Sequence, residues 1–347
     1  MHADTWAGSA NISDVPGWAV PLVRSCRAAG EDIDCAVDLA DRYGRLLPLP
    51  GHGQTARRWA VLAAVAEQNL TVARVLEAHS DALAILAEAG APVPSGTWGV
   101  FAAEAQPHRL TATESAQDGQ VNLTGVKPWC SLAGQLDSAL VTAHGPGGRQ
   151  LYRVSLREPT VTVDPPGGWV ARGLRTVTSV AVRFDGTPAQ PVGEPGWYLS
   201  RPGFAWGGIG VAACWLGGAA GLRTAIAAAA AKRNSDLTAM LLGETDVALW
   251  ACQAALRRAA RLIDSGTASG SAGELLGLRL RALIAGTAEQ ALRNAGHALG
   301  PAPLAFDEEH ARRTADLALY IRQHHAERDL ARLGSMLTQP AEPAETE

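Results

Sequence analysis

The chain has 347 residues, 47% of them apolar and 18% charged, enough to bury more than one core. Its 34 acidic residues outnumber 30 basic ones, for a net charge of −4, which excludes a polybasic footprint for nucleic acid or an anionic membrane surface. Five cysteines (Cys26, Cys35, Cys130, Cys214, Cys252) stand without metal spacing, and the first residues carry neither a basic start nor an apolar run, so we expect reduced thiols in a cytoplasmic protein.

Residues 1–98 read as a helical domain. LPLPGHGQT (47–55) is a loop by its Pro and Gly content, and Arg57–Gly90 has long apolar helical periodicity ending on a glycine stop. Trp98 begins a strand-rich domain over 99–197. Val121–Leu123 and Ser138–Val141 read as strands, HGPGGRQ (144–150) as a turn, DPPGGW (164–169) as a breaker, and Gly173–Pro188 as alternating strand followed by a turn.

Between the first two strands, Lys127-Pro128-Trp129-Cys130-Ser131 sets a large flat aromatic beside two small polar groups. Such a set suits a planar ring system stacked on one side and hydrogen-bonded at its edge; it equally suits a hairpin whose tryptophan plugs a core.

Residues 198–334 read as a helical bundle with helices over Ala205–Lys232, Thr238–Asp264, Ala272–His297 and Asp307–Leu333. From Pro202 to Leu222 no residue is charged, a length that reaches across a bilayer, yet seven glycines and the following Arg223, Lys232 and Arg233 favour a buried, closely packed helix. SGTASGSAG (265–273) is a connection, Asp307-Glu308-Glu309 opens the last helix, Gly334 closes it, and 335–347 is expected to be a disordered acidic tail.

Helices, then strands around Trp-Cys-Ser, then helices: this order resembles the acyl-CoA dehydrogenase family of flavoproteins. LEAHSDALAIL (76–86), LRTVTSVAVRFDGTPA (174–189) and the segment Gly296–Gly334 are similar to the family's N-terminal helical domain, β-domain exit and last helices, so the likeness covers residues 50–334 or thereabouts. The resemblance implies an α+β fold with an N-terminal helical domain, a central β-domain and a C-terminal four-helix bundle. It also implies FAD, and a homodimer or homotetramer that completes the flavin site; a heteromer with a related chain is the other assembly.

On that resemblance Trp129 stacks near the flavin, Ser131 hydrogen-bonds its edge, and Thr178 or Ser179 adds a polar contact. Arg233 matches an arginine that reaches a partner's flavin phosphates, or else is a solvated helix end. Gly300 stands where bare backbone approaches the nucleotide. The family's Thr-Glu-Pro-Gly-Ala-Gly-Ser run is replaced by Ala102-Ala103-Glu104-Ala105-Gln106-Pro107-His108. Its catalytic glutamate is missing at both usual places, which here read Tyr320-Ile321-Arg322-Gln323-His324 and Phe204-Ala205-Trp206.

The segment from Tyr320 to Asp329 is dense in titratable groups. In a continuous helix Tyr320 and His324 share one face, as do His325 and Asp329. Arg322 and His324 then either face a flavin as catalytic groups or belong to an ion-pair network on the last helix. His324 and His325 point about 100° apart on a helix and lack a third ligand, so no metal is expected.

These readings lead to an FAD-dependent oxidoreductase acting on an acyl thioester or related compound with a non-standard site. The alternatives are a flavin-dependent monooxygenase on the same scaffold and a non-catalytic subunit or binding module of a heteromeric acyl-CoA dehydrogenase. No Gly-x-Gly-x-x-Gly follows a strand, so direct nicotinamide chemistry is not expected.

Overall fold

The computed structural model describes residues 15–117, 119–233 and 235–338, without the side chain of Arg233. Four helices open it: α1 (Val20–Ala29), α2 (Ile33–Gly44), α3 (Thr55–Gln68) and α4 (Leu70–Glu88). The single long helix expected over 57–90 is in fact two. Asn69 leaves the helix at φ −157°, its carboxamide oxygen accepts from Val72 N–H (3.1 Å), and its amide donates to the carbonyls of Cys26 (3.0 Å) and Gly30 (2.8 Å). One side chain thus caps α4 and ties it to α1.

Seven strands follow: β1 (Trp98–Phe101), β2 (Leu110–Glu114), β3 (Val121–Ser131), β4 (Ser138–Gly145), β5 (Gly148–Ser155), β6 (Val161–Val163) and β7 (Ser179–Val192). β2 pairs with β3, β3 with β7, β7 with β5, β5 with β4, and β4 meets β2 again at Thr111 and His144, which closes a barrel. β1 runs parallel to β4, Trp98 opposite Ser138. β3 and β4 are not the two arms of a hairpin; Trp129 sits within β3, on a bulge between Lys127 and Cys130 against β7. The real hairpin is β4–β5, turning at Gly145 and Gly148.

The C-terminal part holds α5 (Trp197–Ser200), α6 (Pro202–Arg233), α7 (Asp236–Asp264), α8 (Gly270–Leu299), α9 (Ala302–Phe306), α10 (Glu308–Tyr320) and α11 (Ala326–Thr338). Ser235 and Asp307 cap α7 and α10 by accepting from Thr238 N–H and His310 N–H. The apolar window of α6 is 78% buried, as its glycines require. A Cβ on Gly217 would lie 2.1 Å from the Ala63 carbonyl oxygen of α3, so the two helices touch backbone to backbone. Gly217→Ala is therefore expected to push α3 from α6 and destabilise the fold by about 1–3 kcal/mol, read as a lowered urea midpoint.

The last helix differs from expectation. It is broken after Tyr320: Ile321–Gln323 form one 3-10 turn and His324 is extended (ψ 125°). Arg281 of α8 donates to the freed Gln323 carbonyl (2.8 Å), so the break is held by a residue from another helix. Tyr320 and His324 consequently do not share a helical face. Gly334 does not end the helix, which runs on through Thr338; the expected tail beyond it lies outside the described residues.

α4 joins the two kinds of structure. Its end, with Leu83, Ile85 and Leu86, packs on Trp98, Leu140, Leu151 and Val192 of the barrel. On the same helix His79, fully buried, accepts the Trp98 N–H at Nδ1 (3.1 Å), and burial drives its pKa down to about 4. A neutral imidazole is the only form that can accept there.

Candidate functional site

β3 ends where β7 begins, and this pairing sets the Ser131 and Ser179 hydroxyls 2.7 Å apart. The following Leu132 N–H donates to the Thr178 carbonyl (2.8 Å), and Val177 N–H to that of Leu174 (2.9 Å). Three residues here hold the left-handed conformation that side chains avoid: Trp129 (φ 59°), Leu132 (φ 60°) and Leu174 (φ 47°). Only one other described non-glycine residue, Ala326, shares it. Backbone held in such a state costs on the order of 1 kcal/mol or more per residue, and clusters of it gather where a ligand is gripped.

Trp129 is 58% exposed, so it plugs no core. Two residues on, Ser131 lines a crevice of about 10 Å³, room for a single water, walled also by Arg74, Ala78, Trp98, Phe101 and Val177. Nearby, the Thr176 hydroxyl is buried without a partner.

The loop before β7 is fixed from the helical side. Asp316 of α10 accepts from Leu174 N–H (2.5 Å) and is pushed up to about 6, by burial first, against the pull of that hydrogen bond. The barrel edge carrying Ser179 is thereby locked to the last helices.

Below the crevice lies a buried polar cluster that the sequence did not announce. Glu77 of α4, 6% exposed, takes Arg74 Nη1 at 3.1 Å and the Tyr320 hydroxyl at 3.4 Å on the same Oε2. Burial pushes its carboxyl up to about 7, against the pull of Arg74. Arg58 donates to the Pro48 carbonyl and the Ser80 hydroxyl. Asp81 and Tyr320 are also raised by burial. No local signal marks Glu77: its neighbours on the helix face are Ala73, Arg74, Ser80 and Asp81, and it is tertiary packing that buries it.

From this cluster aromatic packing runs on to His324. The Trp215 ring is 6.4 Å from Tyr320 and 6.3 Å from His324, with the Arg281 guanidinium 4.8 Å over it. His324 Nδ1 stands 3.1 Å from Asp329 Oδ2 but poorly aligned for a hydrogen bond, and burial, then Arg281, lower its pKa.

The structure thus brings Trp129, Ser131, Thr178 and Ser179 together on adjoining strand ends, while His324 stands farther off, behind Trp215, Tyr320, Glu77 and Arg74. Arg322 stands apart, 57% exposed and paired with Glu289. The main chain of Arg233 ends α6, while its side chain and Asn234 lie outside the described residues. Gly300 ends α8 at φ 72°, ψ −166°, a conformation open to glycine alone, and nothing lies within 4 Å of its would-be Cβ. Its glycine is explained by the backbone turn itself.

Another cluster lies at the barrel. Lys127, 1% exposed, donates from Nζ to Glu104 Oε1 (2.6 Å) and to the Thr142 carbonyl and hydroxyl (both 2.8 Å). Arg149 and His144 flank the same carboxylate at 3.6 and 3.5 Å. Burial lowers the Lys127 pKa against the pull of Glu104; burial would raise Glu104, and the Lys127 hydrogen bond and charge outweigh it, so its pKa falls. This pair braces the strand that carries Trp129.

No protein-family model and no curated protein sequence matches the chain. Solved structures do. Dibenzothiophene monooxygenase TdsC from Paenibacillus sp. A11-2, with FMN and indole, superposes with a TM-score of 0.78 at 17% identity over 92% of this chain and 96% of that one. KijD3, bound to FMN and a dTDP-linked amino sugar, gives 0.76 at 17% over 95% and 94%. Glutaryl-CoA dehydrogenase from Mycobacterium smegmatis gives 0.75 at 16% over 95% and 98%. The chain has the acyl-CoA dehydrogenase fold: N-terminal helices, central barrel, C-terminal helices. Identity this low carries the architecture and no residue roles.

Proposed function

We propose that this chain is a flavin-dependent oxidoreductase whose flavin lies against the crevice of Ser131 and Ser179. The observation that carries the proposal is the gathering of three left-handed residues, the exposed Trp129 among them, beside a hydroxyl pair. The crevice itself takes no more than a water, so a planar ring would meet these groups from outside it, with the exposed Trp129 two residues from Ser131. Trp129 would supply stacking, Ser131 a hydrogen bond at the ring edge, and the Thr176 hydroxyl a spare donor; a bound flavin would supply two-electron chemistry. The FMN of TdsC and KijD3 supports FMN beside the FAD inferred from sequence.

The substrate on this reading is an acyl thioester or related carbonyl compound. A second reading, monooxygenation with reduced flavin and oxygen, is favoured by the missing base: in the segment where the family's glutamate is expected, Arg322 turns outward to Glu289 and brings no carboxylate to the crevice. An exposed apolar stripe on α7, formed by Leu237, Met240, Val247 and Trp250, supports assembly as a homodimer or homotetramer.

Absorption spectra of the purified chain with FMN and with FAD test the proposal. We expect a bound, shifted flavin spectrum, and about tenfold weaker binding in Trp129→Ala, the loss of one stacking contact. Bleaching by an acyl-CoA selects dehydrogenation; substrate-dependent oxygen uptake with reduced flavin selects monooxygenation. Absence of binding in both flavins ends the enzyme reading for this chain alone.

A further inference from the structure

We propose that Arg74 is the positive group this site presents to the negative charge a flavin gains on reduction, and that Glu77, its counter-ion, sets how much of that charge the crevice feels. This rests on the flavin reading above and extends it to two residues on α4 that the family resemblance does not assign.

Arg74 is a wall of the same crevice as Ser131, with its side chain 15% exposed. A guanidinium has five N–H donors. Among the described residues Arg74 uses them in one hydrogen bond, to Glu77 Oε2. Arg58, the neighbouring buried cation, is different, since its donors are committed to Pro48 and Ser80. Arg74 therefore has donors left on the crevice side, and its buried charge acts with little screening on a ring lying across the crevice mouth.

Glu77 decides how strong that charge is. Ionised, it neutralises Arg74; protonated, it leaves the guanidinium uncompensated. The groups that face it are Arg74 and Asp81 from α4, Arg58 from α3, Cys214 from α6, Arg281 from α8 and Tyr320 from α10. Burial places its titration at about 7, where a small change in its surroundings moves the proton. Negative charge arriving at the crevice mouth draws Arg74 towards itself and favours protonated Glu77. Two-electron reduction by an external reductant would then take up two protons from solvent, one by the flavin, which leaves the ring with a single negative charge, and one by the Glu77 carboxylate. By linkage, acid pH tightens binding of the reduced cofactor over the oxidised one.

The test compares the affinities of oxidised and dithionite-reduced FMN, and likewise FAD, by quenching of tryptophan fluorescence at about pH 6 and about pH 8, on either side of the Glu77 titration. The wild type is expected to favour the reduced form tenfold or more at the lower pH and clearly less at the higher. Arg74→Gln should erase the preference at both, and Arg74→Lys should keep it. Glu77→Gln, which retains an acceptor for Arg74 without a charge, should hold the full preference at both pH values. It carries the test by itself if Arg74→Gln does not fold. Equal binding of the two redox forms by the wild type overturns the inference, as does a preference in Glu77→Gln that still falls with pH. If neither flavin binds in either state, it is the flavin reading that falls, and this inference with it.

Discussion

Glu104→Ala, with Lys127 left in place, is expected to destabilise the protein by about 3 kcal/mol, the lower end of what breaking a buried ion pair costs. The lysine is 1% exposed and the carboxylate is its only anionic partner within salt-bridge distance among the described residues. Truncation leaves an ammonium with two neutral acceptors, both from Thr142, inside a closed barrel. Because the Glu104 side chain is 36% exposed, water can replace part of the lost partner, which is why the lower figure applies. The double variant Glu104→Ala/Lys127→Met should recover most of the loss, since Met fills the volume without a charge to desolvate, and Arg149 Nη2 still serves the Thr142 hydroxyl at 3.0 Å. Urea melts of the wild type, both single variants and the double variant check this. If the double variant is no more stable than Glu104→Ala, the lost stability belongs to the carboxylate's other contacts, with Arg149 and His144, and not to a stranded lysine.

Much of this architecture is legible in the residues alone. Apolar periodicity marks the long helices, and the glycines of the uncharged stretch predict a buried α6, because bare backbone is what allows α3 to approach. What periodicity conceals are the interruptions. Asn69 is a strong helix-starting residue, but it sits inside a run of alanines and leucines whose pattern barely changes phase across it. The break after Tyr320 has no comparable local mark; the carbonyl it frees is taken by Arg281, which lies on a different helix.

The site divides the same way. Trp129, Ser131 and Thr178 are neighbours on paired strand ends, so a local motif suffices to find them. Glu77 and Arg74 are three residues apart on a helix and read as an ordinary surface pair. Only the packing of α10 over α4 makes them interior groups. Arg322 and His324 read as positions on a helix that does not in fact continue, and the turn sends the first to solvent and the second against Trp215.

Three buried titratable groups make a definite demand on pH dependence. His79 binds its proton less well folded than unfolded, with its pKa lowered from 6.5 to about 4. The unfolded chain therefore holds more protons between these values, and the contribution of His79 to stability is lost as pH falls. Glu77 and Asp316 are the reverse case, raised to about 7 and to about 6. For them the folded chain holds more protons, and stability is lost as pH rises. A tenfold change in proton affinity is worth about 1.4 kcal/mol, so each group carries about 3 kcal/mol. Over the window from 4.5 to 6, two carboxyls oppose one imidazole, so these groups should lower stability as pH rises, by an amount comparable to one of them. His79→Gln keeps an acceptor for the Trp98 N–H and removes the opposing titration, so its stability should fall more steeply across that window. Glu77→Gln should flatten the curve. Chemical denaturation at several pH values reads both slopes directly. A His79→Gln slope equal to that of the wild type would mean that this imidazole is not held neutral against the barrel, and that the junction between α4 and β1 is wetter than its packing indicates.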